Sequence, residues 1–440
     1  MTARGGDGPP TRLSFAEALA AVVAAAEPLP AESVPLMDAL GRALADDVAS
    51  PLDLPPWDNA AMDGYAVRVA DVHGASRERP ATLRVVGDIA AGGDASAVSL
   101  GAGDAARIST GAPVPASADA VVRVEDTEAD GARVRVLSDR DVVGDRPQRR
   151  NVRPRGEDVR AGATVLERGT TIGAAAIGVL ASVGRASVPV TRRPRVAIVS
   201  SGDELARVDA FDAVLAGRRI VSSNSYALTA HAWAAGADAT DCGFVRDDAG
   251  ALRSLLATVL ARGFDAIVTS GGVSVGLHDH TRDALLALGA ELRFWRVRMR
   301  PGGPFGFGVV HWGDRRVPWL GLPGNPVSAL VTFELFGRPL LRRMGGHRRA
   351  FRRAVSVRVG EPVRVGATLT HFLRVTLDHD DDGHLVARLT GPQGSNLLTS
   401  MARAEALLVV PEGVQDVPAG ATLHAILLGD DALDAERPPA

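Results

Sequence analysis

The chain has 440 residues, which is too long for a single hydrophobic core and predicts three or four folded units. Its 49 basic and 52 acidic residues give a net charge of -3, so the composition does not favour nucleic acid or an acidic membrane as a partner. All basic residues are arginines, which excludes lysine Schiff-base chemistry, and the single cysteine, Cys242, excludes an internal disulfide.

The N-terminal part of the chain predicts helices followed by a β-rich insertion. Ser14 and Glu17 form a capping box that opens an alanine-rich helix, which stops at Pro28. A second helix is predicted from Leu36 to Ala45, because leucines recur there every four residues. From Asp53 to about Val143, short β-type runs alternate with Gly, Pro and Asp, which predicts a small β-rich domain.

A different pattern begins at Arg195 and continues to about Leu341. Strands, loops and helices alternate regularly there, which is typical of a parallel sheet with helices on both faces. Ligands of such sheets bind at the carboxyl ends of the strands. From Ala354 onward the chain is β-rich again, with a hairpin signal at Asp382-Gly383. We find no apolar signal segment and no apolar run of membrane-spanning length, and we expect a cytoplasmic protein.

One glycine-rich loop, Ser270 to Gly276, follows the apolar run Phe264 to Thr269 and precedes a predicted helix. Glycines allow positive φ angles and let backbone N-H groups turn inward as an anion cradle, and a helix N-terminus adds partial positive charge. Phosphate is the natural ligand of such a loop. Considered alone, a tight turn without a ligand explains the loop equally well.

Three further glycine-rich loops carry acidic residues. The first contains Asp63, for which an Asp-Gly turn that bonds its own backbone is the alternative. The second runs from Arg153 to Asp158 and is equally consistent with a solvated charge run. The third, Ser201 to Glu204, could be a helix cap. Its position at the same sheet edge as the loop at Ser270 favours a site.

The residues around Asp279 raise the question of a metal. His278 and His280 flank this carboxylate, but no third His or Cys lies nearby, which argues against a zinc-type site. Asp279 could also act as a helix N-cap. Carboxylates beside phosphate favour Mg²⁺. In a later loop, Asn325 suits a helix N-cap and Pro326 the first helical position, which predicts a second anion-seeking turn.

Taken in order, six motifs resemble those of the molybdopterin molybdenumtransferases, the MoeA family that includes the E domain of gephyrin. The motifs are Asp58 to Ala66, Thr110 to Pro113, Arg155 to Asp158, Ser201 to Glu204, Ser270 to Gly276 with Asp279, and Leu322 to Ala329. The resemblance spans residues 13 to 425, and six ordered motifs make a coincidence implausible.

The resemblance implies a multidomain α/β plus β fold. Its domains would be an N-terminal domain (13-46 and 142-192), an inserted β-rich domain (47-141), a three-layer molybdopterin-binding α/β/α domain (193-347) and a C-terminal β barrel (348-428). It also implies a homodimer in which each site combines the α/β domain of one subunit with the first domains of the other.

The implied function is insertion of molybdate into adenylylated molybdopterin with release of AMP. A molybdopterin adenylyltransferase would be the partner that supplies the substrate. Glu204 and Asp279 would hold Mg²⁺, and Arg153 and Arg155 would contact molybdate. The catalytic residues would be Asp63, Thr110, Asp158, Glu204 and Asp279. The substrate and its phosphates would be bound by Ser270, Gly271, Gly272, Val273, Ser274, Gly276, Arg300, Pro323, Gly324, Asn325 and Pro326.

The chain departs from the family pattern at Gly303, where family members typically have lysine, and Leu277 and His280 replace a common acid and tyrosine. Loss of the lysine charge removes a phosphate or pterin contact. The alternatives are therefore a catalytically weakened paralogue that binds or carries molybdopterin, and a dimeric scaffold that uses its β domains for partners. A nucleotide pyrophosphatase with the same α/β fold is a third alternative, against which the inserted β domain argues.

Overall fold

A computed structural model describes residues 12–143, 149–246, 248–272 and 280–429. The chain separates into two compact units. The first unit comprises the chain up to Asp46, Arg168 to Ile177, and the chain from Ala186 onward, and the second unit comprises residues 47–167 and 178–185. Within the described ranges, no helix combines the length and apolarity needed to span a bilayer.

The chain begins in the first unit with helix α1 (Phe15–Ala24) and strand β1 (Ala31–Pro35). The predicted capping box is present: Ser14 Oγ accepts the Glu17 N-H, and the Glu17 carboxylate accepts the Ser14 N-H. Strand β1 pairs antiparallel with Ser187–Thr191.

The predicted helix from Leu36 to Ala45 is wrong. Only Leu36–Ala39 forms a single 3₁₀ turn, because Leu40 is extended (φ -56°, ψ 129°) and Gly41 has a φ of 76°. The backbone N-H groups of Gly41 and Leu44 donate instead to the carbonyls of Ile172 and Thr170. Long-range backbone pairing therefore overrides a leucine spacing that fits a helix.

The second unit is built around a six-stranded sheet in the order β7-β4-β6-β5-β9-β8. Two short antiparallel pairs, β10 with β3 and β11 with β2, accompany it. The elements are β2 (Val48–Ala49), β3 (Asn59–Ala60), β4 (Gly64–Val67), α2 (Val69–Val72), β5 (Ala81–Ile89), β6 (Asp104–Ile108), β7 (Ala120–Arg123), β8 (Thr127–Ala129), β9 (Arg133–Val136), β10 (Val152–Arg153) and β11 (Thr164–Leu166).

After helix α3 (Ala174–Ser182) and strand β12 (Ser187–Thr191), the first unit forms the predicted α/β domain. Its six-stranded sheet has the order β16-β13-β17-β21-β20-β18, and the first four strands are parallel. The elements are β13 (Arg195–Ser201), β14 (Leu205–Ala206), α4 (Phe211–Leu215), β15 (Ile220–Val221), α5 (Ser223–Ala234), β16 (Asp238–Val245), α6 (Ala249–Ala261), β17 (Ala266–Ser270), α7 (His280–Ala287), β18 (Ala290–Phe294), β19 (Met299–Arg300), β20 (Gly306–Trp312), β21 (Arg315–Leu322), α8 (Pro326–Thr332) and α9 (Arg338–Met344).

This sheet is covered on both faces, so the domain has the three predicted layers. Successive side chains of β13 point to opposite faces. Val196 and Ile198 pack in a core with residues of α5, α8 and α9. Ala197 and Val199 pack in a second core with residues of α6 and α7. Burial on both faces explains why these strands are continuous apolar runs.

The C-terminal region forms the closed five-stranded barrel expected from the resemblance. Its strands join in the order β24-β25-β22-β28-β26, and β26 pairs with β24 to close the ring. The hairpin predicted at Asp382-Gly383 connects β24 to β25. The elements are β22 (Ala354–Val359), β23 (Val363–Arg364), β24 (Thr370–His379), β25 (Leu385–Leu389), α10 (Leu398–Ala402), β26 (Ala406–Val410), β27 (Asp416–Val417) and β28 (Thr422–Leu427).

The second unit depends on the close approach of backbone at Gly64. A Cβ at this position would overlap the carbonyl oxygen of Val122 on the paired strand β7. We predict that Gly64→Ala lowers the free energy of unfolding by about 1–3 kcal/mol through overpacking. Gly178→Ala is the matched control, because this exposed glycine of α3 has no heavy atom within 4 Å of the new Cβ. The control should be about 0.5–1 kcal/mol more stable. Equal thermal midpoints for the two variants would contradict the prediction.

Candidate functional site

The site in the first unit follows from the register of three parallel strands. Ser200 of β13 lies beside Ser270 of β17, and Ser270 lies beside Leu322 of β21. The chain therefore leaves all three strands at the same level of the sheet. This brings together the loops at Ser201–Glu204, Gly271–Gly272 and Pro323–Asn325, as predicted for the carboxyl edge of a parallel sheet.

The turn after β17 requires glycine. Gly271 and Gly272 have φ angles of 88° and 69°, which favour glycine. A Cβ on Gly271 would lie 2.5 Å from the carbonyl oxygen of Ser201, and one on Gly272 would overlap the hydroxyl of Thr281. The N-H of Gly271 donates to the carbonyl of Leu322 at 3.1 Å. The turn is therefore packed tightly against the two neighbouring loops.

Asn224, at the start of α5, ties two of these loops together. Its Nδ2 donates to Ser270 Oγ at 2.7 Å and to the carbonyl oxygen of Gly324 at 2.8 Å. Asn224 is not among the site residues predicted from the sequence. The signal available was the polar run Ser222 to Ser225, which stands directly before a predicted helix at the carboxyl edge of the sheet.

These loops surround a cavity of about 240 Å³. Its wall is rich in hydroxyl groups and exposed backbone, and Glu204 is the one carboxylate among the described residues that line it. Glu204 is exposed at the rim and is followed by strand β14, so a helix cap does not explain this loop. Arg219 fixes the loop by donating to the carbonyls of Asp203 and Leu205. The lining residues are Ser200, Ser201, Glu204, Leu205, Ile220, Val221, Ser222, Ser223, Asn224, Ser270, Gly271, Gly324 and Pro326.

The structure brings together part of the predicted substrate-binding set. Ser270, Gly271, Gly324 and Pro326 line the cavity with Glu204. Gly272 and Pro323 are their direct chain neighbours, and the carbonyl of Pro323 accepts from Ser270 Oγ at 3.4 Å. Asn325 is the N-cap residue of α8, but its side chain donates to Ser395 Oγ at 3.1 Å. Val273, Ser274, Gly276 and Asp279 lie outside the described residues.

Arg300 does not line this cavity. It lies with His371 and Arg374 in the wall of another cavity of about 310 Å³, at the junction of strand β19 and the barrel. Arg374 is fully buried, and burial lowers the pKa of its guanidinium. That group donates to the carbonyls of residues 392–394. The carbonyl oxygen of Gly303, three residues after Arg300, accepts from the N-H groups of Val297 and Phe305.

In the second unit, Asp63 and Thr110 are in direct contact. Asp63 stands immediately before β4 and Thr110 follows β6, its antiparallel neighbour, so both lie at one edge of the sheet. Asp63 Oδ1 accepts from the Thr110 N-H at 2.7 Å and from Thr110 Oγ1 at 2.9 Å. These two donors, the backbone N-H first, lower the pKa of the exposed Asp63 carboxyl below its ordinary value. The carboxylate is therefore held ionised in a fixed orientation.

The predicted arginine pair behaves asymmetrically. The Arg155 guanidinium donates to Asp53 at 2.6 Å, and its backbone N-H donates to Asp58 at 2.8 Å. Arg153 lies on β10 opposite Asn59, with an exposed side chain that has no ion-pair partner among the described residues. Asp158 is also exposed. Of the two guanidinium groups, that of Arg153 is the one available to an anion.

The comparisons with known proteins cover almost the whole chain. Three family models match it: the MoeA N-terminal region (domain I and II) over residues 13–184, a probable molybdopterin binding domain over residues 197–343, and the MoeA C-terminal region (domain IV) over residues 356–428. A relative from Mycobacterium tuberculosis named molybdopterin molybdenumtransferase 2 is 39% identical over 397 residues, covering 89% of this chain and 94% of the relative. The chain belongs to the MoeA family.

Further relatives agree with this assignment. A molybdopterin molybdenumtransferase from a Nostoc species is 38% identical over 391 residues, covering 88% of this chain and 87% of the relative. The crystal structure of a molybdopterin biosynthesis moeA protein from Pyrococcus horikoshii OT3 superposes with a TM-score of 0.79 at 26% identity, covering 95% of this chain and all of that one. The family resemblance and the fold class of this MoeA-family chain are thus confirmed, whereas the domain limits and the site residues stay predictions.

The contact between Thr110 and Asp63 predicts a measurable pKa. Thr110→Val removes the hydroxyl donor and keeps the backbone donor, so the pKa of Asp63 should rise part of the way toward 3.8. Because the folded-state pKa is lowered, the stability from this carboxylate is present above pH 3.8 and is lost as the pH falls through the folded pKa. NMR titration of the Asp63 carboxyl carbon measures the change. Thr110→Ser keeps the hydroxyl and should titrate like the wild type, and an unchanged pKa in Thr110→Val would contradict the assignment.

Proposed function

We propose that this chain inserts molybdate into adenylylated molybdopterin and releases AMP, as a step of molybdenum cofactor biosynthesis in the cytoplasm. Family membership supports a transferase of this kind, because the relatives bear the name molybdopterin molybdenumtransferase. The observation that carries the proposal is the cavity at the carboxyl edge of the sheet. There a tight glycine turn, several hydroxyl groups and one exposed carboxylate converge.

The cavity suits a phosphorylated ligand. Ser270 and Gly271 present a hydroxyl and backbone at its wall, and Gly324 and Pro326 of the neighbouring loop also line it. Asn224 holds the two loops together. We propose that the substrate phosphates bind against these two loops. Gly272, Val273, Ser274, Gly276, Pro323 and Asn325 extend the same two loops in this proposal, and Arg300 contacts the substrate outside the cavity.

The donor set also fits Mg²⁺, a hard cation that binds few carboxylate oxygens and keeps water and phosphate as its other ligands. Glu204 is exposed at the cavity rim beside serine hydroxyls, and Asp279 is proposed as the second carboxylate. When bound, Mg²⁺ would polarise the phosphoryl oxygen at the bond that breaks. In this proposal Glu204 is positioned by its loop, which Arg219 fixes through the carbonyls of Asp203 and Leu205.

The residues of the second unit are proposed to act on molybdate and on the substrate. Molybdate is an anion, so Arg153 and Arg155 are the proposed contacts, with Arg153 as the guanidinium that has no carboxylate partner among the described residues. Asp63, Thr110 and Asp158 would come from the other subunit of a homodimer. A molybdopterin adenylyltransferase is the proposed supplier of the substrate.

The proposed activity predicts AMP release that depends on both Mg²⁺ and molybdate. The purified protein is given adenylylated molybdopterin, and AMP is followed by chromatography. Glu204→Ala and Asp279→Ala should each lower the rate by about a hundredfold or more, because each removes a carboxylate that is proposed to hold the Mg²⁺ that stabilises the reacting phosphate. Asp314→Ala is the control, since this exposed acid of the turn between β20 and β21 does not line the cavity.

The same experiment separates the alternatives. Tight binding of the nucleotide without AMP release would overturn the transferase proposal and favour a carrier, for which the absent lysine at Gly303 is the specific observation. If the protein does not bind adenylylated molybdopterin at all, the result would favour the dimeric scaffold.

A composite dimer site predicts complementation between inactive variants. Asp63→Ala and Glu204→Ala are mixed, unfolded together and refolded. If one subunit supplies Asp63 and the other Glu204, each mixed dimer has one intact site, and random assembly restores about a quarter of the wild-type activity. Variants refolded separately should stay inactive. If the refolded mixture is inactive although light scattering shows that it contains dimers, then Asp63 and Glu204 of each site come from the same subunit.

A further inference from the structure

A third cavity lies at the opposite edge of the parallel sheet. Arg195 is the first residue of β13 and pairs with Asp238, the first residue of β16, so both stand at the amino ends of their strands. The cavity beside them has a volume of about 460 Å³, which is within the range of small-molecule sites. We call it the arginine cavity. Its lining residues are Glu32, Arg42, Arg192, Arg193, Arg195, Trp233, Ala237 and Asp238.

Positive charge exceeds negative charge at this cavity. Four guanidinium groups and two carboxylates line it, and the excess stays positive when Asp265, the partner of Arg192, is included. Two of the arginines are neutralised, since Arg42 pairs with Glu32 and Arg192 makes a bidentate pair with Asp265 at 2.7 and 2.9 Å. These ion pairs hold Arg42 and Arg192 in place. The guanidinium groups of Arg193 and Arg195 remain to bind a ligand.

Of the four arginines that line this cavity, Arg193 and Arg195 have guanidinium groups with no carboxylate partner among the described residues. Arg193 is exposed, and no hydrogen bond of its guanidinium is found in the described part of the chain. Arg195 is positioned by its neighbours: its guanidinium lies 5.3 Å from the ring centroid of Phe264 and donates to the carbonyl of Gly263 at 3.5 Å. Two guanidinium groups in the wall of one cavity suit a phosphate, which accepts several charge-assisted hydrogen bonds.

Trp233 adds a flat apolar surface to the same cavity. It lies in the last turn of α5 and is 59% exposed, although its indole N-H donates to the carbonyl of Ala239 at 3.0 Å. The ring is therefore held in place while much of its surface remains open to solvent. An immobilised, exposed indole is suited to stacking with another planar ring.

We propose that the arginine cavity binds a purine mononucleotide, with its phosphate on Arg193 and Arg195 and its base stacked on Trp233. The carboxylate of Asp238, for which no cationic partner is found in the described part of the chain, and the half-exposed Glu32 would accept hydrogen bonds from sugar hydroxyls or the base amino group. The site is separate from the cavity at the carboxyl edge, so the inference goes beyond the proposed transferase function and does not depend on it.

The test uses GMP rather than AMP, because AMP is a product of the proposed reaction. Titration calorimetry and tryptophan fluorescence should show saturable GMP binding to the full-length protein. Arg193→Glu should weaken binding by about tenfold or more, because it replaces a charge-assisted contact with a repulsive charge. Trp233→Leu should weaken binding and abolish the fluorescence change. Arg253→Glu is the matched control, since Arg253 is exposed on α6 and does not line the cavity.

Three results would overturn the proposal. Inorganic phosphate binding as tightly as GMP would show a simple anion site without base recognition. Loss of GMP binding in Ser270→Val but not in Arg193→Glu would place the nucleotide at the carboxyl edge instead. Absence of GMP binding to the wild type would reject the site. The assay measures binding only, so its failure leaves the AMP-release experiment unaffected, and thermal midpoints verify that each variant is folded.

Discussion

The parallel register of β13, β17 and β21 is the constraint on which the carboxyl-edge site depends. Because Ser200, Ser270 and Leu322 lie side by side, three loops that are far apart in sequence leave the sheet at one level. Backbone hydrogen bonds set that level, so it does not depend on any single side chain. Side chains then hold the loops in place. The chief example is the Asn224 amide, which donates to Ser270 and to the carbonyl of Gly324.

Much of the architecture could be predicted from local patterns. The capping box at Ser14, the apolar strand before Ser270 and the hairpin at Asp382-Gly383 are encoded within a few residues, and each is present. The segment Leu36 to Ala45 shows the limit of such reasoning. Its leucine spacing fits a helix, but its backbone N-H groups pair with a segment about 130 residues away, which no local pattern reveals.

The same limit applies to the candidate site. The loop residues Glu204, Ser270 and Gly324 could be placed together because the carboxyl ends of parallel strands meet at one edge of a sheet. The pairing of Arg155 with Asp53 joins residues 102 positions apart. As a result, one of the two guanidinium groups predicted to contact molybdate is already bound to a carboxylate. Arg300 belongs to a different cavity because strand β19 pairs with the barrel, a contact that depends on tertiary packing.

The tight packing around Gly271 and Gly272 limits which residues this chain can accept at the two positions. A side chain at Gly271 would collide with the backbone carbonyl of Ser201, and one at Gly272 would collide with the hydroxyl of Thr281. Neither group can move aside as the end of a long, flexible side chain can. Substitutions at these two glycines therefore carry a steric penalty, and changes in ligand preference are expected at other lining residues, such as Leu205 and Ile220. Laboratory evolution of a new specificity should accumulate changes at such positions while the glycine turn stays constant.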